Sequence, residues 1–164
     1  MLSSVVTRSS KKAGFSIVEA LVALVVLSVG MLGIAGLYVT TLRSGGSAMA
    51  RLQAVNLAND IGDRIRANRL AGMAYDTAAA APANNNCVGG AVNCTRVQMA
   101  AEDLFVWINQ VNASLPGNPT ATVVVVLGAS PNAQGLRDPS TYTITITWSE
   151  PDQPNLSHTL VLQV

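Results

Sequence analysis

The chain has 164 residues, room for one modest globular domain and one extended element, which excludes a second enzyme-sized domain. Only 12% of the residues are charged against 49% hydrophobic, a balance that points to a membrane-linked protein rather than to a cytosolic enzyme. The formal charge of +1 conceals an asymmetry: Arg8, Lys11 and Lys12 are three of the ten basic residues, and beyond them nine acids outnumber seven bases, so no dedicated nucleic-acid face is left.

Between Lys12 and Arg43 the only charged residue is Glu19, and Ala20 to Leu42 is free of charge. That run is long enough to cross a bilayer, which needs about 20 apolar residues. The basic residues before it place the N-terminus in the cytoplasm, a bias moderated by Arg43 and Arg51, so the C-terminal bulk is expected outside. A secretory signal has a shorter apolar region with its cleavage site after it. Here the unusual feature comes before the span. Glu19 is costly in such a place, about 2.5–3.5 kcal/mol at the hydrocarbon centre and less near an interface, and charges so placed are usually retained for a function.

The junction Lys11-Lys12-Ala13-Gly14-Phe15-Ser16-Ile17-Val18-Glu19 joins a basic leader to Gly-Phe and sets a carboxylate inside an apolar run. It resembles the class III signal of type IV pilins and pseudopilins. The resemblance implies that residues 1–14 are a leader peptide removed by a prepilin peptidase between Gly14 and Phe15, and that Phe15 becomes an N-methylated N-terminus. It also implies that Glu19, at the fifth mature position, acts in assembly, its carboxylate meeting a positively charged N-terminal amine in the filament. An ordinary membrane anchor with an interfacial Glu is the plain alternative. Gly30, Gly33 and Gly36 recur every three residues, each lowering helix stability by about 1 kcal/mol relative to Ala. They mark a small-residue packing face or, by the resemblance, a stretch that melts as the filament forms.

After Gly45-Gly46, Ala50, Ala54, Leu57, Ile61 and Ile65 follow at three- and four-residue steps and give an apolar helix face. Arg51, Asp63 and Arg66 lie opposite, and Asp60 and Arg64 have favourable i,i+4 order. One helix is therefore expected over 15–70, roughly 80 Å long, with its transmembrane half at about 15–42. Asp63, Arg64 and Arg66 by themselves suggest a solvated face. The stretch Ala58 to Asn68, behind Val29 to Leu37, resembles the PilV family of type IV pilus modification proteins. That resemblance narrows the expectation to a minor pilin and makes Asp63, Arg64 and Arg66 a candidate face for partner pilins.

Residues 71–94 are rich in Ala, Asn and Gly and are expected to form a loop. Cys87 and Cys94 at its end favour a disulfide over two free thiols in the oxidising compartment beyond the membrane, worth about 2 kcal/mol for so short a loop. With a single distant His, a zinc site is disfavoured. Thr95 to Gln98 fits a capping box, and Val97, Ala101, Leu104, Ile108, Val111 and Leu115 predict an amphipathic helix over 96–114, with Trp107 flanking the stripe as a packing residue. Leu115-Pro116-Gly117 closes it, again as in PilV proteins. Strands are expected over Thr122–Leu127, Tyr142–Trp148 and Leu156–Val164, the second with one buried and one wet face. A turn over Glu150–Asn155 makes the last two antiparallel, and Gly128–Ser140 is a longer loop without a phosphate-binding pattern.

Catalysis finds no support: His158 lies in step with Leu156, Leu160 and Leu162 on a strand without an orienting acid, and Asp138, Glu150 and Asp152 sit beside prolines as turn formers. No metal-ligand spacing and no cofactor motif is present. The expected fold is α+β, a long N-terminal helix packed on a small antiparallel sheet, with a globular part over 71–164. Together with the resemblance this implies a non-enzymatic minor pilin of the bacterial inner membrane, a single-pass protein with its C-terminal domain in the periplasm. From there it would enter the pilus tip. Its implied partners are other minor pilins, the major pilin, the prepilin peptidase, the inner-membrane assembly machinery and a tip adhesin, and twitching motility is one implied output. A minor pseudopilin of type II secretion shares the signal. A single-pass anchored ligand-binding module explains the span but leaves the Gly14-Phe15 junction and Glu19 without a role.

Overall fold

The structure, a computed structural model, describes residues 14–88, 92–129, 139–151 and 153–164. The expected leader up to Ala13, with Arg8, Lys11 and Lys12, most of the loop between Gly128 and Ser140, with Asp138, and Asp152 lie outside the described residues. The order of elements is α1 (Ile17–Ala67), a 3-10 helix (Arg69–Tyr75), α2 (Arg96–Ser114), β1 (Thr120–Val126), β2 (Thr141–Glu150) and β3 (Gln153–Gln163). The chain divides into two compact units, one ending at Ser44 and one running from Gly45 to Val164.

In the first unit α1 carries no charge between Glu19 and Arg43, and every described residue is exposed. In the second, α1 buries Ala50, Ala54, Ala58, Ile61, Gly62 and Ile65. Most of these are small, so the helix lies close on the sheet. A Cβ on Gly62 would come within 3.1 Å of Leu162 Cδ2 and 3.6 Å of Leu160 Cδ2. The helix ends at Ala67 rather than Leu70. The next residues turn into the 3-10 helix with a break at Gly72 (φ 53°), which returns Tyr75 to the core. The run Leu70-Ala71-Gly72-Met73 has no helical periodicity to announce this turn.

Helix α2 begins with the expected capping box: Thr95 accepts from the Gln98 backbone, and the Gln98 side chain accepts from the Thr95 backbone. Its buried row is Ala100, Leu104, Trp107 and Val111. Trp107 is thus central rather than flanking, fully buried, with Nε1 donating to the Leu57 carbonyl at 2.9 Å. Val97 is 61% exposed. The first turn of α2 lies beside Asn68, which donates to the Arg96 carbonyl at 2.9 Å, and there the buried face of α1 has already ended.

The strands form one antiparallel sheet in the order β1-β2-β3, with Val123, Ile144 and Leu160 in register. Val123, Val125, Tyr142, Ile144, Ile146, Trp148 and Leu162 point to the helices, while threonines occupy the other face of β2. Each fully buried Ile, Leu or Val contributes about 1.5–3 kcal/mol. β2 extends to Glu150, which pairs with Gln153, so the expected turn shrinks to the residues between them, and the Trp148 indole donates to Glu150 Oε1 at 3.0 Å. Leu127 falls beyond β1 and is exposed. Gly117 has φ +69°, and a side chain there would collide with Ser149, whose hydroxyl donates to the Gly117 carbonyl at 2.7 Å.

Candidate functional site

Gly14, Phe15 and Ser16 precede α1, and Phe15 is 84% exposed. Ser16 starts the helix: its hydroxyl accepts from the Val18 N–H at 3.3 Å and its carbonyl from Ala20 at 3.2 Å. This leaves the Gly14-Phe15 bond outside the helix, just ahead of it, with both residues exposed. Glu19 lies in the first turn, near the positive end of the helix dipole. Beyond it the hydroxyls of Ser28, Thr40 and Thr41 donate back to the carbonyls of Leu24 and Leu37 at 2.6–2.8 Å, so they add little polarity to the surface. An apolar window in α1 meets the length and composition of a membrane span, and none of it is buried within the chain. Such a surface suits cover by lipid or by other helices, and Glu19 stands in the first turn at its N-terminal end.

Asp63, Arg64 and Arg66 do not share one face. Arg66 pairs with Asp63 at 2.6 Å, and both are exposed. Arg64 turns toward α2, with Nε 3.0 Å from Asp60 Oδ2 and Nη1 3.1 Å from Asp103 Oδ1. Desolvation lowers the Arg64 pKa, but the hydrogen bonds to Asp103 and Asp60 outweigh it and leave the pKa raised. The Tyr75 hydroxyl donates to Asp103 Oδ2 at 2.6 Å. Burial and then the Asp103 carboxylate push the Tyr75 pKa up. Two of the charged residues singled out in the sequence thus remain on the surface, while the third ties α1 to α2.

Three further acids have structural partners that sequence reasoning did not anticipate. Glu102, buried, accepts from the backbone N–H groups of Cys87 at 2.6 Å and Val88 at 3.2 Å, beside the Cys87–Cys94 disulfide. Asp103 is the hub of the Arg64 and Tyr75 contacts. Asp76 accepts from Val125 N–H at 3.0 Å and Ala78 N–H at 2.9 Å, and these bonds, Val125 first, lower its pKa despite burial. For Asp103 a signal existed, since it lies three residues after Ala100 and four before Trp107, the spacing of the buried row. An open cleft of about 370 Å³ lies between Arg64, Asn68, Arg96 and Met99, but Arg64, Asn68 and Asp103 on its wall already have partners. Half-buried His158 pairs with Ile146 across the sheet. Among the described residues no three His, Cys, Asp or Glu are grouped to hold a metal ion.

Comparison with known families gives two matches. Residues 9–35 match the prokaryotic N-terminal methylation motif. Residues 36–105 match a family model described as type IV pilin Tt1218. The first covers Gly14, Phe15 and Glu19. The second runs from the glycine-containing part of α1 through the disulfide into α2 and stops before the sheet. No match was found among curated proteins or among solved structures. The α+β arrangement, with the part of the long helix from Gly45 onward packed on a small antiparallel sheet, is consistent with a type IV pilin fold, and the two family matches, each over less than half of the chain, support a type IV pilin carrying a prepilin-processing motif.

Proposed function

We propose that this type IV pilin is a minor subunit, which a prepilin peptidase cuts between Gly14 and Phe15 and methylates on Phe15. In this reading the apolar half of α1 holds it in the inner membrane, with the domain from Gly45 onward on the periplasmic side. It then joins other minor pilins in a complex that primes pilus assembly and resides at the tip. The observation that carries the reading is the accessible Gly14-Phe15 bond placed five residues before a lone carboxylate at the head of a wholly exposed apolar helix. A plain anchor has no use for either feature. The minor assignment is supported by the Asp63 to Asn68 stretch and by the Leu115-Pro116-Gly117 helix end.

Mass spectrometry of the N-terminus, with quantification of the chain in sheared filaments, tests it. The expected product begins with N-methylated Phe15, Gly14→Ala leaves a precursor of full length, and deletion of the gene lowers the number of surface filaments although the chain is only a trace component of them. A chain that is the bulk subunit, or filaments unchanged by its deletion, would contradict the minor role. An unprocessed chain that still enters filaments would contradict the whole reading.

A further inference from the structure

The two edges of the sheet are treated differently. On β1, whose Val123 and Val125 face away from β2, the edge is closed from within the chain. Thr77 N–H donates to the Val123 carbonyl at 2.9 Å, Val123 N–H to Thr77 Oγ1 at 3.1 Å and Val125 N–H to Asp76 Oδ2 at 3.0 Å. On β3 the reciprocal bonds between Val164 and Ser140, at 2.9 and 3.0 Å, fix the alternation of the antiparallel ladder. Leu156, His158, Leu160 and Leu162 therefore bond to β2, and the backbone N–H and C=O groups of Ser157, Thr159 and Val161 point outward. Among the described residues nothing bonds to those outward groups.

Open edges are ordinarily protected by brevity, by charge, by Pro or by a bulge. In β3 the Pro and the register shift opposite it are confined to the hairpin end, and from Asn155 to Gln163 the strand has no Lys, Arg, Asp, Glu or Pro. α1 approaches it at both ends: Ser47 and Arg51 are near Glu150 at the hairpin end, and at the other end Gly62 lies against Leu160 and Leu162, with the Asp63–Arg66 pair next to it. An added strand would find backbone partners on β3.

We infer that the β3 edge is a docking site, where an extended, uncharged segment of a different pilus subunit adds as a fourth strand. The inference rests on the proposed filament role. A second copy fits poorly. Docking its β1 on this β3 is blocked by Asp76 and Thr77. Pairing β3 with β3 about a two-fold axis across the strands would turn the parts of the two α1 helices from Gly45 onward antiparallel, which does not suit two subunits entering one filament in the same direction. Affinity here comes from main-chain hydrogen bonds, and specificity from alternate side chains of the incoming strand.

The test uses the full-length chain in piliated cells, with a photoreactive amino acid at Thr159 and the adduct identified by its peptides. The expected adduct contains a different chain with its own prepilin-processing motif. Val161→Lys, which puts a charge on the edge at an exposed position, should cut its yield about tenfold, the equivalent of about 1.4 kcal/mol. Thr159→Pro, with the probe moved to Ser157, removes an outward N–H that β2 does not use and should act likewise. Unchanged thermal unfolding of Val161→Lys shows that the fold is intact, and unchanged processing at Gly14 separates this result from failure of the pilin role. An adduct with a second copy, with a protein that is not a subunit, no adduct, or an adduct insensitive to Val161→Lys overturns the inference.

Discussion

The two halves of α1 use apolar residues in opposite ways. Up to Ser44 they are mostly large, surround the helix and bury nothing within the chain. From Gly45 onward the buried positions form one stripe in which Ala50, Ala54, Ala58 and Gly62 are small, and the bulk comes from the opposing strands and α2. A helix covered by its own domain needs close approach, and one side suffices. A helix covered by lipid or neighbouring helices must be apolar all round. The stability of the second half is therefore internal to the chain, and that of the first depends on its surroundings.

The largest test of this contrast is Trp107→Ala. It empties the centre of the second unit and leaves the Leu57 carbonyl without its indole donor. A loss of about 3–5 kcal/mol is expected, read as a lowered denaturation midpoint of the domain in detergent. Membrane insertion of the first half, read by carbonate extraction, should not change. Loss of both together would mean that the halves are not energetically separate.

A smaller effect is expected from pH. The Asp76 carboxylate is held below its usual range, chiefly by Val125 N–H, so its contribution is complete above the ordinary carboxyl value and is lost as pH falls through the lowered folded value. Tyr75 has the opposite sign: its folded pKa is raised, so its contribution is complete below the ordinary tyrosine value near 10 and is lost as pH rises through the folded one. Unfolding midpoints measured across pH should decline at both ends. Asp76→Asn should flatten the acid limb and lower the plateau by about 1 kcal/mol, since it replaces a charged acceptor for a backbone N–H. An acid limb that Asp76→Asn leaves unaltered would show that another carboxylate governs it.

Much of this contrast was legible in the sequence. The charge-free run after Glu19, the Ala and Ile steps of the second half, the Thr95 capping box and the alternation in β2 are all local patterns, and the structure follows them. What escaped was set by tertiary contact. Arg64 looked like Arg66 in the sequence, and only Asp103 on α2 distinguishes them. Tyr75 and Asp76 follow a run without periodicity, and their partners are Asp103 and Val125, distant in the chain. A stripe that starts at Val97 leaves Trp107 at its flank, whereas the buried row runs through Ala100, Leu104 and Trp107, and Trp107 reaches Leu57 on α1.

Glu19→Ala should have the smallest effect on stability and a large one on function, and so sharpens the contrast most. Glu19 is exposed, and among the described residues no hydrogen bond or ion pair is formed by its side chain, so the domain's unfolding midpoint should stay within about 0.5 kcal/mol of the parent. Removing a charge from an apolar surface should, if anything, ease insertion. Cleavage at Gly14 should continue, because the bond lies ahead of the helix. If the carboxylate serves to meet the amine of a cleaved neighbour, processed Glu19→Ala protein should accumulate in the membrane and be depleted from sheared filaments. Glu19→Asp, which keeps the charge on a shorter arm, should recover part of the incorporation, and Glu19→Gln, which keeps the shape without the charge, should not. Equal incorporation of Glu19→Gln and the parent would show that the charge is not what the filament recognises.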